Sequence, residues 1–180
     1  NCSASLVGAE QIIADFKDRD AIIELSKKVD IITYEIESGD SDVLKSVESN
    51  SKVSPSPETL KIIQDKLLQK KFLTDNNIPV PEFIEVNDIN ELKIGLEKFG
   101  FPALLKARRD AYDGKGNYKI DSKNDIQKAF DYFKGNPLLL EKFIPFKMEV
   151  SVISARNTQG QIKSYPLVEN IHEKNILRQT

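Results

Sequence analysis

The strongest local signal in the sequence is PALLKARRDAYDGKGNYKI at residues 102–120. Its two ends, residues 102–106 and 118–120, carry the apolar and aromatic side chains of short strands. Between them lie Gly114 and Gly116, which permit sharp turns and let a backbone approach another molecule closely. The stretch therefore predicts two strands joined by a glycine-rich loop.

Cationic side chains accompany this loop. Lys106 and Lys115 can neutralise phosphate while the backbone N–H groups of the loop bind it, an arrangement that suits a nucleoside triphosphate. The same residues also fit an ordinary β-hairpin, because Asp113 and Gly114 form a common hairpin turn. The loop by itself leaves both interpretations open.

Short strands and two helices surround the loop. Strands are predicted over residues 83–86, 138–142, 148–155 and 162–165, and helices over residues 89–99 and 124–133. This order of elements is typical of a compact α+β module.

The N-terminal part has a different order. Residues 10–15 fit a short strand, an amphipathic helix follows from Arg19 to about Val29, and residues 29–37 are rich in β-branched side chains. Strand, helix and strand predict a parallel sheet, whose ligands collect beyond the carboxyl ends of the strands. Glu35 and Glu37 lie at such an end, where they can hold an amine or a ribose or simply face water.

A helix start follows this sheet. Ser56 is a good cap, Pro57 fits the first turn, and the apolar spacing continues to about residue 75. We therefore predict a helix over residues 57–75 and a domain boundary between residues 54 and 55.

Composition excludes several classes of protein. The 180 residues are 39% hydrophobic, which allows a core, and the formal net charge of −2 offers no general basic surface for nucleic acid. Cys2 can form no internal disulfide, and no apolar run reaches the roughly 18 residues that span a bilayer. We expect a cytoplasmic protein that binds neither membranes nor nucleic acid. Because the chain opens on Asn1, we also expect a piece of a longer protein.

Further polar residues follow the strand at 138–142. The step from Lys142 to Ile144 can offer backbone donors and acceptors to a base, and Glu149 can accept from ribose hydroxyls. A core strand followed by a solvated glutamate explains the pattern equally well. His172 alone makes no metal site and fits a solvated loop.

Eight segments, taken in order, point to one family. They are DIITYEIE at 30–37, PSPE at 55–58, QDK at 64–66, LKAR at 105–108, AYDGKGN at 111–117, EKFIPF at 141–146, SVI at 151–153 and YPLVENIH at 165–172. Together they resemble the N5-carboxyaminoimidazole ribonucleotide synthetases, ATP-grasp enzymes that also form the ATPase part of phosphoribosylaminoimidazole carboxylase. The resemblance covers nearly the whole chain.

The resemblance implies an α/β fold of the ATP-grasp type. Residues 1–54 would be the remainder of an N-terminal Rossmann-like pre-ATP-grasp domain with a parallel sheet. Residues 55–180 would be an ATP-grasp domain, with a lid subdomain at about 80–142 and only the start of the C-terminal subdomain. The glycine-rich turn that opens family members has no counterpart in this sequence.

The resemblance also implies roles for single residues. Tyr112 and Lys115 would be catalytic, and Glu35 and, more weakly, Arg178 would bind the ribonucleotide. The residues that would bind ATP are Lys66, Lys106, Ala111, Tyr112, Asp113, Gly114, Lys115, Gly116, Asn117, Glu141, Lys142, Phe143, Ile144, Glu149 and His172. Family members often have glycine or arginine at the positions of Ala111 and Lys115, and a lysine there cannot grip phosphate through two parallel hydrogen bonds.

The implied reaction is the ATP-dependent carboxylation of 5-aminoimidazole ribonucleotide by bicarbonate, in de novo purine (IMP) biosynthesis. Its products are N5-carboxyaminoimidazole ribonucleotide, ADP and phosphate. Magnesium would assist, with its ligands beyond residue 180 and none within this chain, and the full-length protein would be a homodimer. Two alternatives stay open, namely a different ATP-grasp carboxylase or ligase, and a nucleotide-binding piece without turnover.

Overall fold

A computed structural model describes residues 2–110, 116–173 and 176–180. The chain forms two compact units, Asn1–Ile78 and Pro79–Thr180. The domain boundary expected between residues 54 and 55 stays a prediction.

The first unit is built on a small parallel sheet. After a 3-10 turn at Ser3–Val7, its elements are α1 (Arg19–Ser26), β1 (Ile31–Ile32), α2 (Ser41–Ser46), β2 (Lys52–Val53), α3 (Pro57–Ile63) and α4 (Lys66–Asp75). β1 and β2 pair in parallel, with Ile31 opposite Lys52 and Ile32 opposite Val53. Their core consists of Ile32, Leu44, Val47, Val53 and Leu60. A parallel strand-helix-strand unit is therefore present, but it is formed by β1, α2 and β2 and not by the strand, helix and strand predicted within residues 10–37.

Two strand predictions in this unit are wrong. Residues 10–15, all of which the structure describes, form no strand, and Ile13 is 87% exposed. The strand expected over 29–37 is reduced to Ile31–Ile32. Apolar β-branched residues favour a strand only where a neighbouring strand accepts their backbone hydrogen bonds, and β2 pairs with β1 over two residues.

The helix predicted over 57–75 is two helices. Ser56 caps α3 as expected, because its side chain accepts a hydrogen bond from the Thr59 N–H, and Pro57 lies in the first turn. The chain then breaks at Gln64, and the Asp65 carboxylate caps α4 by accepting from the Leu67 N–H at 2.9 Å. A buried cap inside an apolar pattern restarts the helix.

The second unit opens with a four-stranded antiparallel sheet. Its elements are β3 (Phe83–Val86), α5 (Ile89–Phe99), β4 (Ala103–Ala107), β5 (Asn117–Ile120), a 3-10 turn (Lys123–Asp125), α6 (Ile126–Tyr132) and β6 (Leu138–Lys142). The strand order is β3-β6-β4-β5, so β6 lies between β3 and β4. The predicted strands and the first predicted helix are all present in this region.

Alternation along the strands gives this sheet two faces. On one face, α5 and α6 cover a core that contains Leu92, Leu96, Ala103, Leu105, Ala107, Ile120, Ala129, Leu138 and Leu140. The intervening residues point to the opposite face. That second face carries the candidate site.

Five short strands complete the unit. They are β7 (Glu149–Ser151), β8 (Ser154–Arg156), β9 (Ile162–Ser164), β10 (Val168–Glu173) and β11 (Ile176–Gln179), arranged as an antiparallel sheet in the order β11-β10-β7 and a β8-β9 pair. The single strand expected over 148–155 is thus two strands. No helix in the described parts of the chain is long and apolar enough to cross a membrane.

Candidate functional site

The face of the four-stranded sheet opposite α5 and α6 is largely polar. Because alternate residues of a strand share a face, this surface is defined by the residues that lie between the core positions. They are Phe83, Glu85, Leu104, Lys106, Asn117, Lys119, Leu139 and Glu141. We call this surface the site face.

Lys106 and Glu141 form an ion pair on the site face. Lys106 Nζ lies 2.8 Å from Glu141 Oε2, and the glutamate side chain is only 4% exposed. The strand register places Leu139 opposite Lys106 and Leu104 opposite Glu141, so the pair is diagonal. A buried carboxylate requires a compensating cation, and Lys106 supplies it. Two residues predicted to bind ATP therefore meet in space.

Arg108 and Glu85 form a second ion pair across the same sheet. Arg108 Nη1 lies 2.5 Å from Glu85 Oε1, and the arginine side chain is 16% exposed. Neither residue was among the predicted site residues. Strand alternation provides the signal that finds Arg108, because a residue two positions after Lys106 is expected on the same side.

The segment that follows β6 is anchored at its start. The backbone N–H of Lys142 donates to the Glu82 carbonyl at 2.9 Å, and Lys142 Nζ lies 2.6 Å from Glu82 Oε1. The side-chain hydrogen bond from the Lys142 ammonium lowers the pKa of the Glu82 carboxyl. Lys119 Nζ lies 5.2 Å from the centre of the Phe143 ring, and Ile144 is exposed. The predicted adenine-binding segment therefore leaves the end of the inner strand β6, where Lys142 is held by Glu82.

His172 and Glu149 lie side by side. His172 Nδ1 is 2.9 Å from Glu149 Oε2, because β7 and β10 pair with Glu149 opposite Asn170. The interpretation of His172 as a loop residue is wrong, since it lies within β10. Arg178 lies on β11, which pairs with β10, and is exposed.

The glycine-rich loop joins neighbouring strands. β4 and β5 are antiparallel, with Lys106 opposite Asn117, and the Ala107 N–H donates to the Gly116 carbonyl at 3.0 Å. The two strands predicted on either side of the loop therefore pair with each other, and both interpretations of the loop, as a hairpin turn or as a phosphate-binding loop, stay predictions. Five predicted residues lie outside the described part of the chain, namely Ala111, Tyr112, Asp113, Gly114 and Lys115.

The first unit holds two predicted residues. Glu35 is exposed in the segment that follows β1, and Lys66 is the half-buried first residue of α4. The neighbouring Tyr34 hydroxyl donates to the Ser56 carbonyl at 3.1 Å, and burial raises the pKa of this phenol. Among the residues that the structure describes, no group of three or more histidine, cysteine, aspartate or glutamate side chains could hold a metal ion.

Comparison with known families accounts for both units. The ATP-grasp domain family matches residues 71–180, and the ribonucleotide synthetase preATP-grasp domain family matches residues 1–64. The chain is 42% identical over 169 residues to phosphoribosylaminoimidazole carboxylase of Schizosaccharomyces pombe. This match covers 94% of this chain and 31% of that protein. The chain is also 36% identical over 177 residues to N5-carboxyaminoimidazole ribonucleotide synthase of Pseudomonas aeruginosa, covering 98% and 49%.

Solved structures agree with the sequence comparisons. Carboxyaminoimidazole ribonucleotide synthase from Aspergillus clavatus, complexed with ATP, superposes with a TM-score of 0.91 at 37% identity, over 97% of this chain and 46% of that one. The synthase from the same organism in complex with ADP and 5-aminoimidazole ribonucleotide gives 0.89 at 35% identity, over 97% and 46%. The chain spans half or less of the length of these relatives. The resemblance and the α/β fold predicted from the sequence are confirmed, and the chain belongs to the ATP-grasp family.

Proposed function

We propose that the full-length protein containing this chain carboxylates 5-aminoimidazole ribonucleotide at its 5-amino group, using ATP and bicarbonate. The observation that carries this proposal is the match of almost the whole chain to a synthase solved with ADP and this ribonucleotide. The paired Lys106 and Glu141 support it, because they place a cation on the polar site face. The products are N5-carboxyaminoimidazole ribonucleotide, ADP and phosphate.

The reaction has two chemical steps. First, a bicarbonate oxygen takes the γ-phosphoryl group of ATP as its bond to the β-phosphate oxygen breaks, which gives carboxyphosphate and ADP. The 5-amino nitrogen then bonds to the carboxyl carbon, directly or after release of carbon dioxide, while phosphate leaves and the nitrogen loses a proton. Such transfers depend on positioning and on charge neutralisation in a closed site.

The residues of this chain would divide that work. Lys106 would neutralise phosphate charge, the backbone at 142–144 would bind adenine, and Glu149, held by His172, would accept from the ribose hydroxyls. Tyr112 and Lys115 would contact both the phosphates and the acceptor and exclude water from the labile carboxyphosphate. Lys66 would contact ATP, and Glu35 would hold the ribonucleotide with help from Arg178.

Four further features belong to the proposal, namely magnesium, a cytoplasmic location, a homodimer and a place in purine synthesis. Magnesium, when bound, supplies additional neutralisation of the phosphate charge, through ligands beyond residue 180. We also propose a cytoplasmic homodimer that acts in de novo purine synthesis. The family resemblance supports all of these features. The place in purine synthesis is also supported by the name of a relative that is 35% identical to this chain, the bifunctional purine synthesis protein of Dictyostelium discoideum.

The proposal is tested by measuring phosphate release from ATP by the full-length protein. We expect release to require both bicarbonate and the ribonucleotide, and hydrolysis at the full rate without ribonucleotide would contradict the proposal. Glu35→Gln should impair use of the ribonucleotide, whereas Glu97→Gln on the exposed side of α5 should not. Unchanged use by the Glu35 variant would favour another ATP-grasp ligase, and ATP binding without phosphate release would favour a protein without turnover.

A further inference from the structure

The segment between β1 and α2, residues 33–40, is tied to α3 at two points. Near its start, the Tyr34 hydroxyl donates to the Ser56 carbonyl just before α3 begins. Near its end, the Gln64 amide donates to the Glu37 carbonyl at 2.7 Å and also to the Gly39 carbonyl. Glu35 lies between these two ties.

Gln64 is itself held in a fixed place. Its backbone N–H donates to the Leu60 carbonyl at 3.0 Å at the end of α3, and the next residue is the buried cap Asp65. The Gln64 side chain is half-buried. A glutamine amide nitrogen has two N–H donors, and two different carbonyls lie within reach of this one. The side chain thus joins the hydrogen-bonded junction of α3 and α4 to two backbone carbonyls of the segment.

We propose that Gln64 is a positioning residue for the acceptor substrate, and this inference rests on the proposed function. By holding the carbonyls of Glu37 and Gly39, its amide keeps the segment in one conformation and presents the Glu35 carboxylate to the ribonucleotide. Without these hydrogen bonds, the segment would become ordered only when the substrate binds. The loss of its conformational entropy would then weaken the binding of the substrate. Gln64 itself makes no contact with the reacting atoms in this proposal.

The test replaces the amide while keeping its size. Gln64→Glu in the full-length protein turns a donor into an acceptor that faces two carbonyls, and Gln64→Met removes the donors without adding charge. The matched control is Gln69→Glu, which adds the same charge at an exposed position of α4. Calorimetry with 5-aminoimidazole ribonucleotide and, separately, with ATP measures the two affinities.

We expect both Gln64 variants to raise the Kd for the ribonucleotide by roughly ten- to a hundredfold, as the loss of two hydrogen bonds implies. The Kd for ATP should change by less than about threefold, and Gln69→Glu should resemble the wild type. A merely structural role would weaken both ligands together. Equal weakening of both ligands, or an unchanged Kd for the ribonucleotide in the Gln64 variants, would overturn the inference.

Hydrogen exchange separates this inference from the proposed function. In the free protein, the amides of residues 36–40 should exchange faster in both Gln64 variants than in the wild type, whatever the acceptor is. Unchanged exchange would show that Gln64 does not hold the segment and would overturn the inference alone. A wild-type protein that binds ATP but not the ribonucleotide would overturn the proposed function, and with it the identity of the substrate that Gln64 positions.

Discussion

The two faces of the four-stranded sheet come from the same strands but differ in chemistry. On the helix side, β4 contributes Ala103, Leu105 and Ala107, all buried under α5 and α6. On the site face, the same strand contributes Leu104 and Lys106, and the lysine pairs with a buried glutamate. Because successive side chains of a strand point to opposite faces of the sheet, β4 contributes both to the hydrophobic core and to the charged candidate site.

The two faces also differ in what they contribute to stability. Complete burial of an aliphatic side chain such as Leu105 or Leu140 contributes about 1.5–3 kcal/mol. An ion pair such as Lys106 with Glu141 contributes little net stability, because the cost of removing both charges from water offsets their attraction. Removing only the lysine is destabilising, because the desolvation of the buried carboxylate is then less well compensated. Substitutions on the two faces should therefore separate folding from activity.

The largest effect is expected from Lys106→Met on the site face. We expect kcat/KM for ATP to fall by about 10²–10³, because one preorganised cation no longer offsets the charge of the transferring phosphoryl group. Steady-state kinetics of the full-length protein measures this loss. Lys93→Met, an exposed lysine of α5, is the control and should keep its rate.

Lys106→Met also removes a cation that lies beside the buried Glu141 carboxylate, so the free energy of unfolding of the variant should fall as well. The double variant Lys106→Met/Glu141→Gln removes both charges and should regain stability without regaining activity. Denaturant unfolding of the two variants tests this difference. Recovery of ATP turnover in the double variant would contradict the role of Lys106.

On the helix face, Gly95→Ala should destabilise the protein. A Cβ atom at Gly95 would lie 2.2 Å from Ile84 Cδ1 and 2.7 Å from Leu140 Cδ2, so the packed side chains would have to shift. The overpacking cost of about 1–3 kcal/mol exceeds the gain in helix propensity of about 1 kcal/mol. We expect a net loss of about 1 kcal/mol in the free energy of unfolding, measured in urea.

The control for this variant is Ile94→Ala, the neighbouring residue of α5, which is 65% exposed. It should change stability little, because it removes no buried group. A Gly95→Ala protein more stable than the wild type would show that Ile84 and Leu140 rearrange without cost.

A smaller effect is expected from Glu85→Gln. This change removes the charge that faces Arg108, but Glu85 is 39% exposed and solvent screens the interaction. We expect a loss of no more than about 1 kcal/mol in the free energy of unfolding. Thermal unfolding next to Glu97→Gln tests it, and a loss as large as that of Lys106→Met would contradict the distinction between a screened and a buried pair.

The smallest effect concerns pH and the edge of the sheet. Lys142 lowers the pKa of Glu82, so the folded state favours the ionised carboxylate more than the unfolded chain does. This contribution is fully present above the ordinary carboxyl pKa of 4.5 and is lost as the pH falls through the lowered value. The stability difference between the wild type and Glu82→Gln should therefore shrink below about pH 4.5. A difference independent of pH between 6 and 3 would contradict the coupling.

In the four-stranded sheet region, the sequence pattern within a few residues is enough to predict several strands and a helix. The strands at Phe83–Val86 and Leu138–Lys142 and the helix at Ile89–Phe99 have the predicted bounds. The helix begins at a cap, Asp88, whose carboxylate accepts from the N–H groups of Asn90 and Glu91. Periodicity, caps and breaks within a few residues thus define these elements.

The errors fall where the formation of a strand depends on its pairing partner and not on its own side-chain pattern. β10 contains two glutamates, an asparagine and a histidine and has no apolar alternation, yet it forms a strand because β7 and β11 pair with its backbone. Residues 10–15 show the opposite case, an apolar run that forms no strand. A strand depends on its partner, and no window of neighbouring residues contains that information.

The amino-acid sequence is enough to identify the polar residues of the candidate site and the family that they resemble. Charged side chains on strands or just after them point to Lys106, Glu141 and Glu149, whereas His172 is predicted only from the family resemblance. Which of these residues meet depends on the tertiary fold. Strand register places the ammonium of Lys106 beside Glu141, and the packing of α3 places the Gln64 amide against the segment of Glu35. These contacts join residues that lie more than 20 positions apart in the sequence. Residues so far apart come together only when the backbone between them folds back, and the local sequence pattern does not contain that information.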